Sequence, residues 1–421
     1  MLNKLKPKSE FSRNVLTLMT GTTIAQAIPI AISPILTRIY TPEDFGVFAL
    51  YIALVNFIAI IVTARYELAI VLPKEDENAV NILALSLIIV VGIVVFITII
   101  ILLFKDKLLL FLDIKSIGNF IYLIPFSILV AGLNQSFNYW ANRKQYFTTM
   151  SSSQIFQSIT IGVTQPVLGY FNIFGGLIIG NLFGKIISGF ILINKFFKND
   201  TVQIKNINKD IILQQMKKYK DFPLINSLHA FSDIIRTSGS AILISSFFGS
   251  AILGLYALSL RVLQVPVGII GSALGQVLYK KFSFMYNNNE NLYLYAKRIV
   301  LILLLGALPV FGILYFIAPE LFAFIFGEKW RVAGEYSRYL MPYLFMNFII
   351  SPISSIPIIL NKQKEIFYIS LIGNIMYLCV FLLFRNLIID YVLIILSITQ
   401  MCFYIYVIIW YFKILKNSKK Y

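Results

Sequence analysis

The hydrophilic stretch KFFKNDTVQIKNINKDIILQQMKKYKD (residues 195–221) lies near the middle of a chain that is otherwise strongly apolar. Hydrophobic residues make up 58% of the 421 residues and charged residues only 13%, whereas soluble domains contain about 25% charged residues. A transmembrane helix needs about 20 consecutive apolar residues, and such runs lie on both sides of this stretch. The sequence therefore predicts an all-α polytopic membrane protein that this stretch divides into halves.

Polar breaks divide the apolar runs into twelve predicted transmembrane helices, six on each side of the hydrophilic stretch. Their predicted bounds are 14–38, 45–72, 79–104, 117–141, 151–171, 174–196, 221–248, 251–279, 292–318, 336–360, 366–384 and 389–413. The sequence thus predicts an N-terminal lobe, a basic cytoplasmic linker and a C-terminal lobe, over residues 1–196, 197–220 and 221–421.

Lys and Arg are unevenly distributed among the segments that connect the predicted helices. With the N-terminus in the cytoplasm, 24 of the 36 Lys and Arg residues fall in cytoplasmic segments and 8 in external loops. Because an excess of cations keeps a segment cytoplasmic during insertion, both termini are predicted to be cytoplasmic. The net charge of +17 follows from this bias and suits the anionic inner leaflet, so it does not indicate a nucleic-acid partner.

The two halves contain similar segments after their first predicted helices. RIYTPEDFGVFALY (residues 38–51) joins the first helix to the second, and SFFGSAILGLYALS (residues 246–259) joins the seventh to the eighth. Since each half has an even number of predicted helices, the repeats run parallel. Transporters built this way bind substrate near the membrane midplane between the halves.

When Lys and Arg near the ends of the predicted helices are counted with the connecting segments, four cationic residues remain inside the helices: Arg65, Lys185, Arg236 and Arg261. Only two acids, Glu67 and Asp233, accompany them there. A charge at mid-bilayer costs at least about 2.5–3.5 kcal/mol. The excess of cations therefore predicts a water-filled cavity of positive potential that receives an anion.

A structural interpretation stays open for two of these cations. Asp233 and Arg236 are i, i+3 neighbours that can neutralise each other on a helix. Arg65 and Glu67 are i, i+2 neighbours, which face apart on a straight helix, and the Arg65 side chain can extend to the inner interface instead. Lys185 and Arg261 have no acid on their own helices, so the prediction of a cationic cavity rests on these two residues.

Several predicted helices also have a polar face. On the seventh helix, polar side chains from Asn226 to Ser240 fall within about 80° of arc. His229 lies four residues before Asp233, so this pair is a candidate for carrying a coupling proton; the alternative is a buried histidine that satisfies a hydrogen bond. The predicted polar lining of the cavity is Gln26, Asn181, Asn226 and Gln264.

Other helices carry polar or small residues that point away from lipid. On the fourth and fifth helices, the amide residues Asn134, Asn138, Gln154, Gln157 and Gln165 belong to these polar faces. The sixth helix has a ridge of small residues suited to close helix packing, formed by Gly176, Gly180 and Gly184.

The sequence resembles one family of bacterial transporters. The pattern R-[IL]-Y-[TS]-P-E-[DE]-[FY]-G at residues 38–46 and the segment ARYELAIVLPK at residues 64–74 are similar to bacterial polysaccharide-repeat flippases (Wzx-type, PST family, MOP superfamily). Four residues of the first pattern have either a structural or a functional role: Arg38, Tyr40, Pro42 and Gly46.

The resemblance implies a fold, a substrate and a location. Such proteins have a MATE-like fold, with two six-helix lobes around a cationic cavity, and act in the bacterial cytoplasmic membrane. They move undecaprenyl-pyrophosphate-linked oligosaccharide repeat units from the inner to the outer leaflet by alternating access, for O-antigen or capsule. The implied partners are this substrate, membrane lipids, a polysaccharide polymerase and a chain-length regulator, and no cofactor is implied.

Three other classes of function fit the sequence less well. A MATE-type exporter of small molecules is the main alternative, although its mostly cationic substrates favour an acidic cavity. A polysaccharide polymerase or ligase needs a reactive site, but the longest predicted external loop, 319–335, contains no histidine. The energetic cost of four intramembrane cations argues against a purely structural scaffold protein. The sequence contains no nucleotide-binding loop, metal cluster or catalytic triad, and Cys379 and Cys402 lie in apolar runs, so no enzyme, metal or cofactor is predicted.

Overall fold

The structure is a computed structural model that describes residues 10–417. Some side chains in this range lie outside the described residues, namely those of residues 10–16, 19, 225, 226, 228, 229, 265–267, 269, 270, 272 and 273. The described residues form helices and no strand. The chain divides into two compact units, Met1–Ile242 and Leu243–Tyr421, which are described separately.

The first unit contains seven helices and the start of an eighth. Helices α1 to α8 span Glu10–Ile39, Pro42–Ala59, Asp76–Phe111, Ile124–Arg143, Phe147–Tyr170, Gly176–Asn199, Lys209–Lys218 and Ser227–Phe248. Short 3-10 helices lie between them at Tyr66–Val71, Lys115–Leu123 and Thr201–Asn206, and a π-helical turn, Phe222–Asn226, precedes α8.

The second unit begins near the end of α8. Helices α9 to α14 span Ser250–Asn287, Leu292–Phe326, Arg331–Ile350, Ile356–Ile359, Gln363–Leu383 and Ile389–Asn417. Helix α11 packs against α9, α10 and α14, so it forms the centre of this unit. Its Tyr343 ring stacks on that of Tyr404 with 5.9 Å between centroids, and the hydroxyls of Tyr256 and Tyr377 share a hydrogen bond nearby.

Each of the twelve predicted transmembrane helices overlaps a helix of the structure, and the all-α polytopic architecture is confirmed. Nine helices in the described part of the chain are long and apolar enough to cross a membrane. Helix α5 is not among them, because serine, threonine and glutamine occupy much of its N-terminal half. Within the described part of α9, the segment Ser250–Gln264 is apolar but shorter than a full membrane span.

Two predicted boundaries were wrong. The second predicted helix, 45–72, ends at Ala59, and Ala64 and Arg65 then adopt left-handed φ angles of 46° and 61°, which a continuous α-helix excludes. The predicted external loop, 319–335, is mostly helical, because α10 continues to Phe326 and α11 begins at Arg331. The turn between them requires Gly327, whose φ is 100°.

The segment at residues 38–46 has a structural role in the fold. Thr41 caps α2, since its hydroxyl accepts from the Asp44 N–H and the Asp44 carboxylate accepts from the Thr41 N–H in return. Pro42 occupies the first turn, where no N–H donor is needed. The Tyr40 hydroxyl donates to the Gln165 carbonyl of α5 over 2.8 Å. This segment therefore fixes the turn between α1 and α2 and attaches it to α5.

Charged side chains join four elements at one end of the first unit. The carboxylate of Asp200, which is 5% exposed, accepts from the Trp140 indole N–H over 3.0 Å and from the Tyr146 hydroxyl over 3.2 Å. Lys144 lies 3.6 Å from Asp200 and also pairs with Asp76. Burial, and to a lesser extent the negative charge of Asp200, raises the pKa of the Tyr146 phenol. The hydroxyl therefore stays protonated and donates its hydrogen bond. This Asp200 network ties the start of α3 to the ends of α4 and α6 and the start of α5.

The predicted ridge of small residues on α6 packs against α5. A Cβ atom placed on Gly184 would lie 2.9 Å from the Gln157 carbonyl oxygen and 2.4 Å from Ile161 Cγ1. The two helices therefore approach closely only because these positions lack a side chain.

We expect Gly184→Ala to destabilise the first unit by about 1–3 kcal/mol, as overpacking of a close interface does. Gly92→Ala on α3 is the matched control, because nothing lies within 4 Å of its added Cβ. Thermal unfolding in detergent, followed by tryptophan fluorescence, measures both variants. Equal midpoints for the two would show that the α5–α6 contact tolerates a methyl group.

Candidate functional site

Helix α4 places a row of amide side chains next to α2 and α6. The Asn134 side-chain N–H donates to the Lys185 carbonyl over 2.9 Å, and that of Gln135 donates to the Ala59 carbonyl over 3.2 Å. The amide oxygens of both residues are buried and accept no hydrogen bond from the described residues. Buried acceptors of this kind bind water or a ligand donor, so this row is a candidate binding surface.

Lys185 lies on α6 beside this row. Its side chain is half-buried, and within the described residues it makes no ion pair. The opposite face of α6 exposes Phe183 and Phe190, as expected for a face in contact with lipid. A half-buried ammonium without a carboxylate partner is costly to maintain, and an anion relieves that cost.

Asn181 lies one turn before Lys185 on α6 and is also half-buried. Both side chains therefore lie on the same part of the helix surface, between the lipid-facing residues and the ridge that packs on α5.

Arg65 forms an ion pair that the sequence pattern did not predict. Its guanidinium lies 3.4 Å from the carboxylate of Glu67, which is 1% exposed. On a straight helix these i, i+2 neighbours were expected to face apart, and that expectation was wrong. The backbone at Arg65 is left-handed, so the chain is not a straight helix here. The Thr63 hydroxyl donates to the same carboxylate, and the Tyr139 phenol of α4 lies within electrostatic range of the pair. Arg65 is therefore a mostly neutralised cation.

Helix α8 contributes two ionisable residues to the described part of the first unit. Arg236 is half-buried and Asp233 is exposed. The Phe231 ring contacts Phe57 of α2, with 5.3 Å between centroids, so the first half of α8 lies against α2. The side chains of two predicted site residues, Asn226 and His229, lie outside the described residues.

The remaining predicted residues are on α1 and α9. Gln26 is exposed on α1. In the second unit, Arg261 is half-buried and Gln264 is exposed on α9. The nearby Ser259 hydroxyl donates to the Ala333 carbonyl over 2.6 Å, which holds this part of α9 against α11.

Some polar residues of the predicted faces hold helices together instead of lining a cavity. The Thr22 hydroxyl of α1 donates to the Gln154 side chain over 2.8 Å, and the Gln165 side chain donates to the Leu177 carbonyl of α6 over 2.8 Å. Gln135 and Tyr139 are two further candidate residues, which were not predicted from the sequence. Their four-residue spacing beside Asn134 and Asn138 was the available signal.

The first unit thus combines one cation and several hydrogen-bonding groups in one region. Lys185 supplies positive charge that no described acid neutralises, and the Asn134 and Gln135 amide oxygens, which accept no hydrogen bond from the described residues, are able to accept one from a hydroxyl group. These groups suit an anionic ligand that carries hydroxyls.

Comparisons with known proteins identify a family and a shared fold. The profile of a family described as "Polysaccharide biosynthesis protein" matches residues 35–335. No curated protein sequence matches the chain.

Three solved structures of similar fold are a flippase and two transporters. Lipid II flippase MurJ in an inward closed conformation is 15% identical, with a TM-score of 0.76, covering 96% of this chain and 90% of that chain. An inward-facing multidrug resistance MATE family transporter of the MOP superfamily is 16% identical, with a TM-score of 0.65 and coverage of 96% and 95%. A MOP superfamily transporter from Pyrococcus furiosus, described as having a binding pocket of reverse polarity, is 17% identical, with a TM-score of 0.57 and coverage of 97% and 96%. The predicted MATE-like fold is confirmed.

Proposed function

This chain belongs to the polysaccharide biosynthesis protein family, and from that premise we propose that it is a flippase for lipid-linked oligosaccharides. It moves undecaprenyl-pyrophosphate-linked repeat units from the inner to the outer leaflet of the bacterial cytoplasmic membrane, by alternating access through a cationic cavity. It is a transporter and not an enzyme. Its partners are this substrate, the surrounding lipids, a polysaccharide polymerase and a chain-length regulator, with no nucleic acid.

One observation carries this proposal. Lys185 is half-buried on a predicted transmembrane helix, and no acid among the described residues pairs with it. A cation kept there without a partner suits an anionic substrate.

The mechanism follows from the charge of the substrate. A diphosphate cannot cross hydrocarbon without a replacement for its hydration. Lys185, Arg236 and Arg261 supply that replacement, since arginine and lysine form short, charge-assisted hydrogen bonds to phosphate oxygens. The amide groups of Gln26, Asn181, Asn226 and Gln264 bind sugar hydroxyls. A proton on the Asp233–His229 pair couples transport to the membrane gradient.

A MATE-type exporter of small molecules is the second candidate, because a MATE family transporter shares the fold. The charge of the site disfavours it. A cavity for cationic substrates needs acids, and Lys185 forms no ion pair with an acid among the described residues.

The decisive test is transport by proteoliposomes of a fluorescent undecaprenyl-pyrophosphate oligosaccharide. We expect the wild-type chain to transport it and both Arg236→Ala and Arg261→Ala to lose most of that transport, by about tenfold or more for each charged contact removed. Thermal unfolding in detergent confirms that the variants are folded.

A different result would change the assignment. Unchanged transport in both variants would give the two arginines a structural role. No transport by the wild type, together with movement of a cationic dye, would favour the exporter.

A further inference from the structure

The second unit contains a cavity that is separate from every residue assigned to transport above. Its volume is about 400 Å³, within the roughly 300–1,000 Å³ of small-molecule sites. It lies where the end of α9, the turn before α13 and the end of α14 meet, on the side that the sequence predicts to be cytoplasmic. Its lining residues are Tyr286, Leu360, Lys362, Glu365, Trp410, Lys413, Ile414 and Asn417.

The charged lining of this cavity is net positive. Lys362 and Lys413 supply two positive charges, and Glu365 supplies one negative charge. Glu365 pairs with Lys362, its i, i+3 neighbour. Lys413 makes no ion pair among residues 10–417. One cation of the cavity is therefore available to an anion.

The uncharged lining combines an apolar floor with polar donors. Leu360 and Ile414 are buried members of the hydrophobic core of this unit, so they form the floor. The Tyr286 hydroxyl and the Asn417 amide are hydrogen-bond donors. The walls can therefore bind phosphate oxygens while the floor contacts an apolar segment of the same ligand.

Helix α14 continues the cavity towards the membrane as an apolar and aromatic surface. Tyr406, Trp410, Lys413 and Asn417 follow one another at i, i+4, i+7 and i+11, which places them on one face of the helix. Tyr406 is 54% exposed, and Ile409, one turn before Lys413, is 61% exposed. Tyrosine, tryptophan and lysine in this order mark the boundary between lipid and water. A soluble anion makes no contact with such an apolar surface, whereas the acyl chains of a lipid pack against it.

We propose that this cavity binds the phosphate-bearing headgroup of a membrane lipid at the cytoplasmic surface. Lys413 contacts the phosphate, and the lipid tail lies along the exposed side of α14. The site is a second lipid site, and it does not depend on the proposed transport route.

Tryptophan fluorescence can report occupancy of this cavity. The chain has three tryptophans; Trp140 and Trp330 are fully buried, with exposures of 1% and 0%, and Trp410 lines the cavity. The experiment titrates phosphatidylglycerol, phosphatidylcholine or inorganic pyrophosphate into the full chain in a nonionic detergent. The signal is the emission change of the wild type minus that of Trp410→Phe.

We expect phosphatidylglycerol to change this signal at a much lower concentration than phosphatidylcholine, whose ammonium neutralises its phosphate. Lys413→Gln should raise the half-saturating phosphatidylglycerol concentration about tenfold, as expected for the loss of one charged hydrogen bond. Glu365→Gln should lower it, because it removes the one negative charge of the lining. Lys416→Gln is the matched control, since Lys416 is exposed on the same helix end and does not line the cavity.

The arms of the titration separate the sources of phosphate. Binding of phosphatidylglycerol with the expected order of variants supports the proposal. Saturation by inorganic pyrophosphate alone would overturn it in favour of a soluble anion. Equal responses to both lipids, or equal shifts for the Lys413 and Lys416 variants, would overturn it as well.

Discussion

Lys185→Gln is expected to reduce transport of the lipid-linked oligosaccharide by about tenfold or more, since a charged hydrogen bond contributes about 1.5–3 kcal/mol. The side chain is half-buried on α6, next to the Asn134 amide. Within the described residues no carboxylate offsets its charge. In the proposed mechanism, removing the ammonium removes its contact with the diphosphate of the substrate. Initial rates in proteoliposomes measure the effect.

Two further variants separate charge from structure at this position. Lys185→Arg keeps the charge and should retain a substantial part of the transport rate. Lys198→Gln removes a lysine from the exposed end of the same helix and should transport as the wild type does. If Lys185→Gln transports normally, or if it becomes less stable and Lys198→Gln does not, then Lys185 has no direct role in binding the anion.

Asp200→Ala is expected to destabilise the first unit by about 3–5 kcal/mol, the usual cost of removing one partner from a buried ion pair. The carboxylate is 5% exposed. Without it, the indole N–H of Trp140, 3.0 Å away, loses its acceptor. The Tyr146 hydroxyl loses one as well, and Lys144 keeps only Asp76. The start of α5 and the end of α6 therefore separate more easily.

The change is measured by thermal unfolding in detergent, with Asp106→Ala as the control because Asp106 is exposed on α3. Asp200→Asn tests the charge alone: it preserves the shape and an acceptor oxygen, so its loss should be smaller than that of Asp200→Ala. Similar midpoints for Asp200→Ala and Asp106→Ala would show that water replaces the buried carboxylate at little cost.

The course of the chain through the membrane was largely predictable, because long apolar runs and their polar breaks are local properties of a sequence. The second predicted helix shows where this fails. Residues 60–72 are as apolar as the helix before them, but Ala64 and Arg65 adopt left-handed backbone angles. The Tyr66 hydroxyl that follows donates to the Met216 carbonyl of α7 over 3.0 Å. A break stabilised by a contact 150 residues away leaves no signal in hydropathy.

The candidate site was predictable in its residue types but only partly in its contacts. Lys185 was selected because its helix has no acid, and the structure places it half-buried beside α4. Arg65 was predicted to be a site residue as one of the four cations inside the predicted helices, yet it pairs with Glu67. Gln165 was predicted only to point away from lipid, and the structure shows that it bridges α5 and α6. Periodicity gives the face of a helix on which a side chain lies, and it does not give the neighbour that this face meets.

The sequence by itself determined that the chain crosses a membrane many times, that its basic segments favour one side, and that it keeps more cations than acids among its apolar helices. Those properties follow from composition and spacing along the chain, through the cost of charge and of unpaired backbone in lipid. Only the tertiary structure decided which cations are neutralised, which polar residues join helices, and that Lys362, Trp410 and Lys413 meet around one cavity. These outcomes depend on contacts between residues far apart in sequence, and packing alone brings such residues together.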